Sequence, residues 1–385
     1  MIIRGAKVYT TGHEFKELDI YTEGDRITAV KSPEDFDASM YSDEEIADAQ
    51  GLLAIPGLVD IHFHGAMGHD FCDASLEGLL NIAAYEAASG ILAICPATMT
   101  YSEEILSHVM DTAREFKARF STAPVASLVG INLEGPFISP DKLGAQNPAY
   151  LMLPDSDMIA RLQARSGGLI KLIDIAPELP GSMDFIEKLH NDYNISLAHN
   201  TADYDIACAA FSAGARHVTH LFNAMPGITH RKPGPIIAAY ENHAEAELIA
   251  DNIHVHPAMV RFAFDMFGAD RIILIADSME ATGLPDGEYS LGGQSVTKSG
   301  RVATLTAHPE TIAGSVTNLY ACMRTAVTVA GIPLTDAVRA AAENPARSIG
   351  IYGDYGCIEA GAYANVVLAD EELNIHAVVC KGQVI

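Results

Sequence analysis

The chain has 385 residues, 49% of them apolar and 19% charged, which is too hydrophobic for a disordered chain and long enough for two or three domains. Fifty acidic residues against 24 basic ones give a formal charge of −26, which disfavours nucleic acid as a partner. No stretch approaches 18 uninterrupted apolar residues, so no membrane association through a spanning helix is expected.

The start, Met1-Ile2-Ile3-Arg4-Gly5-Ala6-Lys7-Val8-Tyr9, reads as a strand and not as a leader. The first 55 residues carry short alternating segments, among them Arg26–Val30, with an acidic loop around Asp43-Glu44-Glu45. From Ile55 onward, strand-like runs end near His64, Thr98, Glu134, Ala176, His199, His220, Asp251 and Asp277. Helical stretches fall between them, at 75–89, 102–120, 182–191, 203–213 and 257–267. Eight strands alternating with crossovers predict an α/β fold, a (β/α)8 TIM-like barrel; a doubly wound open sheet is the alternative.

After Asp277 the rhythm changes. Residues 287–304 read as a hairpin pair, followed by helices over 314–330 and 335–346, the second stopped by Asn344-Pro345. The tail from Ile351 returns to short strands. Neither β-rich end could bury a sheet face alone. The expectation is therefore one small β-sandwich domain from 1–55 plus 352–385, flanking a barrel domain over 56–351. Six cysteines lack any C-x-x-C pair, which reads as a reduced, cytoplasmic chain.

Placement of the polar residues is the informative feature. Strand alternation puts Asp60, His62 and His64 on one face, with Val59, Ile61 and Phe63 opposite and turned to the helices. In the third strand Leu128, Gly130, Asn132 and Glu134 share a face, and later strands end in His199, His220 and Asp277. Four imidazoles and two carboxylates thus gather on the C-terminal rim, where barrel enzymes build their sites. That donor set suits a divalent transition metal and hydrolysis. A lone histidine at a strand end is usually a cap or a core residue; five such strand ends on one rim are not. His217, three residues before His220, is expected to face the other way and to be structural.

At this point the residues resemble a known family. Pro56-Gly57-Leu58-Val59-Asp60-Ile61-His62-Phe63-His64-Gly65 is similar to the first-strand motif of the amidohydrolase superfamily. Asn132-Leu133-Glu134-Gly135-Pro136-Phe137, His220-Leu221-Phe222-Asn223-Ala224-Met225-Pro226, Arg231-Lys232-Pro233-Gly234 and Ala313-Gly314-Ser315 narrow the resemblance to its N-acetylglucosamine-6-phosphate deacetylases. The resemblance runs from about residue 2 to 385.

It implies hydrolysis of the acetamide of a phosphorylated N-acetyl amino sugar. Glu134, His199 and His220 match the main metal ligands and Asp277 the catalytic acid/base. The intact pair His62 and His64 leaves room for a second ion, so the implied cofactor is one or two divalent metals per subunit: zinc, with iron or manganese as alternatives. Asn223, Ala224 and His254 match substrate contacts, as do Ala145, Gln146, Ala313, Gly314 and Ser315. Arg231 matches a phosphate ligand that reaches a neighbouring subunit, which implies a homodimer. Two positions matter most: the first histidine pair, which some members replace with Gln and Asn, is intact here as His62 and His64, and Gln146 stands where the family usually has His. Asn252, where the family often has Gly, is a mild departure. Relatives that bridge two metals with a carboxylated lysine after strand four fit less well. Lys171 lies near the beginning of that strand.

Overall fold

The computed structural model describes residues 1–37 and 46–385, so the expected acidic loop around Asp43–Glu45 lies outside the described residues. Strands Leu58–Asp60, Ile91–Ile94 and Ser127–Leu128 form one parallel sheet. Ile131–Glu134, Ile170–Ile175, Asn194–Leu197, His217–Val218, Glu245–Leu248 and Ile272–Leu274 form a second. The third strand of the expected series is split between the two sheets, and an Ala97–Asn132 bridge joins them. On the opposite side the Asp277 N–H donates to the His62 carbonyl at 2.8 Å, and the His64 N–H to that of Ser278 at 2.7 Å.

Helices occupy the crossovers, at Leu76–Ala88, Glu103–Phe120, Ser182–Leu189, Tyr204–Ala213 and Pro257–Phe267, with two further ones at Ser156–Ser166 and Gly234–Glu241. Ser75, Ser102, Asp155 and Asp203 start four of them by accepting first-turn N–H groups. Glu103–Phe120 shows why the pattern was readable: Leu106, Val109, Met110, Ala113 and Phe116 are its buried stripe.

One breaker behaves otherwise than expected. The last helix does not stop at Asn344-Pro345: Leu334–Val338 passes through a π-turn at Arg339–Glu343 into Asn344–Ser348. A proline removes one N–H and crowds the carbonyl four residues back. The wider π-turn absorbs that defect, and the Asn344 side chain anchors the segment to the carbonyls of Ala269 and Ile272, each at 2.7 Å.

The two chain ends meet in one eight-stranded sheet, in which Val366–Ala369 pairs antiparallel with Leu53–Pro56. Ile3, Val8, Ile20 and Ile27 from one end pack with Val366, Leu368 and Val379 from the other. Neither set has a core without its partner. The expected hairpin pair is present as Gly287–Leu291, Gln294–Ser299 and Val302–Leu305, and a fourth antiparallel strand, His308–Ile312, extends it into a meander. Its apolar side joins Met99 and Met279. Among the described residues no helix is long and apolar enough to cross a membrane.

Candidate active site

The first strand delivers two histidines by a route that simple alternation misses. Val59 and Ile61 pack with Ala93, Cys95, Leu172, Ile249, Ile273 and Ile275, drawn from strands on both sheets, whereas Phe63 joins the cluster shared with the helices. Val59 and Ile61 therefore face inward, opposite to the expectation. Regular pairing ends at Asp60, whose Oδ1 accepts the His62 N–H at 3.1 Å. This Asx-type turn breaks the two-residue period and turns His62 and His64 into the mouth.

Three other site residues leave their strands with left-handed backbones: His199 at φ 42°, His220 at φ 30° and Asp277 at φ 49°. Each costs about 1–3 kcal/mol for a non-glycine residue. Asp277 is held there by the Ser315 N–H, which donates to its carbonyl at 2.7 Å. Gly314 beside it has φ 67°, and a Cβ on it would come within 3.1 Å of that same carbonyl.

The side chains converge on Glu134. Its Oε1 lies 2.9 Å from His199 Nε2, 3.3 Å from His220 Nε2 and 3.5 Å from His62 Nε2. Its Oε2 lies 3.3 Å from His64 Nε2. Two donor groups result, His62–His64–Glu134 and Glu134–His199–His220, sharing the one carboxylate. Asp277 Oδ1 stands 3.3 Å from His64 Nε2 and 3.8 Å from His62 Nε2.

Tautomers decide whether this cluster suits a cation. His62 Nδ1–H donates to Glu247 Oε2 at 2.9 Å, His64 Nδ1–H to the Ala97 carbonyl at 3.3 Å, and His199 Nδ1–H to the Lys142 carbonyl at 2.7 Å. In each neutral ring the Nε2 lone pair is then left pointing inward. His62 Nε2 is buried with no protein hydrogen-bond partner. Fixing the outer nitrogen in this way is how proteins orient metal-ligating imidazoles, so these residues fit a divalent metal.

The same cluster attracts protons. Burial disfavours the His62 imidazolium, but Glu247 and Glu134 outweigh burial and lift it well above the usual imidazole range. Burial likewise opposes ionisation of Glu134, yet the surrounding imidazoles, His62 foremost, hold it well below the carboxylate range. Asp277 is also buried, and its hydrogen bond with His64 keeps its pKa below the ordinary value. Metal and protons compete for one set of lone pairs.

Above the cluster opens a cavity of about 420 Å³, within the usual size for a small-molecule site. His64, Glu134, His199, His220 and Asp277 line its floor, and His62 lies beneath, fully buried. Ala145, Gln146, Asn223, Ala224, His254 and Gly314 also line it. Ala313 and Ser315 do not: Ala313 is buried in the meander core, and the Ser315 hydroxyl donates to the Ala276 carbonyl at 2.6 Å. Gln146 reaches the cavity wall with its amide already engaged by Thr100 and Glu134. His254 is held by Asp251, Nδ1 to Oδ2 at 2.8 Å. Arg231 lines a different cavity, with Tyr204, Asp203 and Lys232.

Several supporting groups escaped sequence reasoning. Glu247 joins two histidines, His62 at 2.9 Å and His217 at 3.2 Å. His217 thus points inward although it is no ligand. Its strand ends at Val218, so parity cannot be counted on to His220. The signal for Glu247 was present in Glu245-Ala246-Glu247-Leu248, an alternating pair of carboxylates in a buried strand. The carbonyls of Lys142 and Ala97 carry no residue-type signal.

Lone pairs aimed at a shared carboxylate, on the rim of a TIM-barrel-type fold, mark the class of metal-dependent hydrolases. Residues 53–385 match the amidohydrolase family, and the chain belongs to it. It is 37% identical over 347 residues to an N-acetylglucosamine-6-phosphate deacetylase of Bacillus subtilis, covering 89% of this chain and 87% of the relative. It is 32% identical over 341 residues to an N-acetylgalactosamine-6-phosphate deacetylase of Escherichia coli O157:H7, covering 88% and 89%. A mutant Mycobacterium smegmatis N-acetyl-D-glucosamine-6-phosphate deacetylase, solved in complex with N-acetyl-D-glucosamine-6-phosphate, has a TM-score of 0.91 and 33% identity, covering 100% and 98%.

Proposed function

We propose that the chain hydrolyses the acetamide of N-acetylglucosamine-6-phosphate, releasing acetate and glucosamine-6-phosphate. The observation that carries this is the position of Asp277, an ionised carboxylate 3.3 Å from His64 and on the cavity floor beside the Glu134 cluster.

Glu134, His199 and His220 would hold one divalent ion and His62, His64 and Glu134 a second, with zinc the first candidate. When bound, such an ion supplies a Lewis acid that polarises an amide carbonyl and acidifies water near neutral pH. Asp277 takes a proton from the attacking water as the C–O bond forms. It returns that proton to the nitrogen as the C–N bond breaks, so the amine leaves uncharged. The imidazoles beside Asp277 keep it ionised at the start. Asn223, Ala224, Gly314 and His254 border the space for the sugar, and Asp251 holds the His254 ring by accepting from its Nδ1 at 2.8 Å.

Among the described residues no arginine lines this cavity, and Arg231 opens on another. The same reading therefore assembles the site in a homodimer, with Arg231 reaching the neighbouring cavity and its guanidinium suited to bidentate phosphate binding. It also takes the terminal sheet, 1–55 with 352–385, to fold as a β-sandwich beside the catalytic barrel over 56–351. Six unpaired cysteines support a reducing, cytoplasmic setting.

The test is a side-by-side kcat/KM measurement on metal-quantified enzyme with N-acetylglucosamine-6-phosphate, its galacto epimer and unphosphorylated N-acetylglucosamine. Preference for the first supports the proposal. A preference for the galacto epimer, or no deacetylation of any, overturns it.

A further inference from the structure

We propose that Gln146 is a positioning residue that sets where the two oxygens of Glu134 point, and not a contact for the sugar. This rests on the metal site proposed above and concerns how that site is held.

Gln146 is buried at 3% exposure, and both ends of its amide are committed. Oε1 accepts the Thr100 backbone N–H at 2.7 Å, and Nε2 donates to Glu134 Oε2 at 2.8 Å. A backbone N–H can only donate, so the Thr100 contact identifies the oxygen end. The N–H end must then face Glu134. Turning the amide over would set oxygen against carboxylate and N–H against N–H.

The hydrogen bond matters because Glu134 serves two donor groups at once. Oε1 faces His199 and His220 and Oε2 faces His64. The last torsion of a glutamate side chain is broad, so the carboxylate needs an outside partner to keep both oxygens in place. Gln146 is the side-chain amide that supplies one.

The surrounding loop repeats the task for a second ligand. The Lys142 carbonyl accepts from His199 Nδ1 at 2.7 Å, and a Cβ on Gly144 would come within 3.3 Å of His199 Cε1. Gln294 in the meander braces the loop, donating to the Ala145 carbonyl at 2.6 Å. Glu134 and His199 are thereby held from one short segment. Partners in this position typically contribute about 10- to 100-fold to metal affinity.

The experiment measures zinc affinity of the purified full-length protein by chelator competition, for wild type, Gln146→Ala, Gln146→Met and Gln146→His. Gln146→Met keeps the side-chain length and so guards against a packing defect in the alanine variant. The expected result is about 10- to 100-fold weaker zinc binding in both, with unchanged far-UV circular dichroism. Gln146→His restores affinity, since one ring nitrogen can accept from Thr100 while the other donates to Glu134. Wild-type zinc affinity in Ala and Met, with KM for the phosphorylated sugar raised, overturns the inference and makes Gln146 a substrate contact. Absence of stoichiometric zinc from wild type itself would overturn the metal site first, an outcome separable from the others.

Discussion

The Nε2 atoms of His199 and His220 face each other at 3.1 Å, with ring planes 83° apart. His199 already donates through Nδ1 to Lys142, so its inner nitrogen offers a lone pair to the other ring. Without a cation the His220 Nε2–H donates to that lone pair, which leaves the His220 Nδ1 lone pair buried with no partner. Stripping the metal with a chelator should therefore lower the melting temperature by several degrees. A stoichiometric divalent ion should restore it, since a ligand at about 1,000 times its Kd adds about 4 kcal/mol. Scanning fluorimetry with metal analysis checks this; identical melting curves for stripped and loaded protein would exclude a resident ion.

Asp277 is set up as a base by its surroundings. Asp277→Asn should lower kcat by at least about 100-fold while the metal content stays at the wild-type ratio, because the Glu134 cluster is untouched. Turnover near wild type would remove Asp277 as the proton carrier.

Arg231 and His254 line separate cavities of one chain. Arg231→Ala should raise KM for the 6-phosphate sugar by about 10- to 100-fold, the loss of a charged hydrogen-bonded contact of roughly 1.5–3 kcal/mol. KM for the unphosphorylated sugar should hardly move. Mixing and refolding Arg231→Ala with Asp277→Asn should recover activity, because one site of a mixed dimer then has both groups. No recovery argues for a site complete within one subunit.

His217 supplies a pH test away from the cavity. Burial disfavours its charged form, but Glu245 and Glu247 outweigh that and raise it to about 9. Its stabilisation should be complete below the ordinary imidazole value of about 6.5 and lost as pH rises through about 9. Glu247, held at about 2 mainly by His62 and His217 against burial, behaves oppositely. Its contribution is present above about 4.3 and disappears as pH falls towards 2. His217→Asn should lower stability at pH 7 by about 3–5 kcal/mol and abolish the alkaline decline. Parallel melting-temperature profiles for the two proteins would refute this.

Much of this was legible without coordinates. Helix Glu103–Phe120 could be read from one apolar stripe and a serine cap, which are local properties of the chain. Asp277 could be picked out as a carboxylate ending an apolar run, and Glu134, His199 and His220 as polar groups at the ends of strand-like segments; the β/α rhythm implies that such ends share a rim. Strand parity predicts an inward His62, but the structure reaches that outcome by another route. An Asx contact at Asp60, and not strand parity, produces it. The continuation of the last helix past Pro345 was missed because its compensation, Asn344 bonded to two distant carbonyls, is not a local feature.

The amino-acid order alone determined the repeating α/β pattern, the family resemblance and the residue types available for chemistry, since periodicity and motif spacing are written along one dimension. Tertiary structure alone decided which nitrogen of each imidazole faces inward, what Gln146 is bonded to, and that Arg231 and His254 part company. Those outcomes depend on carbonyls and carboxylates contributed from tens to hundreds of residues away, whose directions are set only when the strands are assembled side by side.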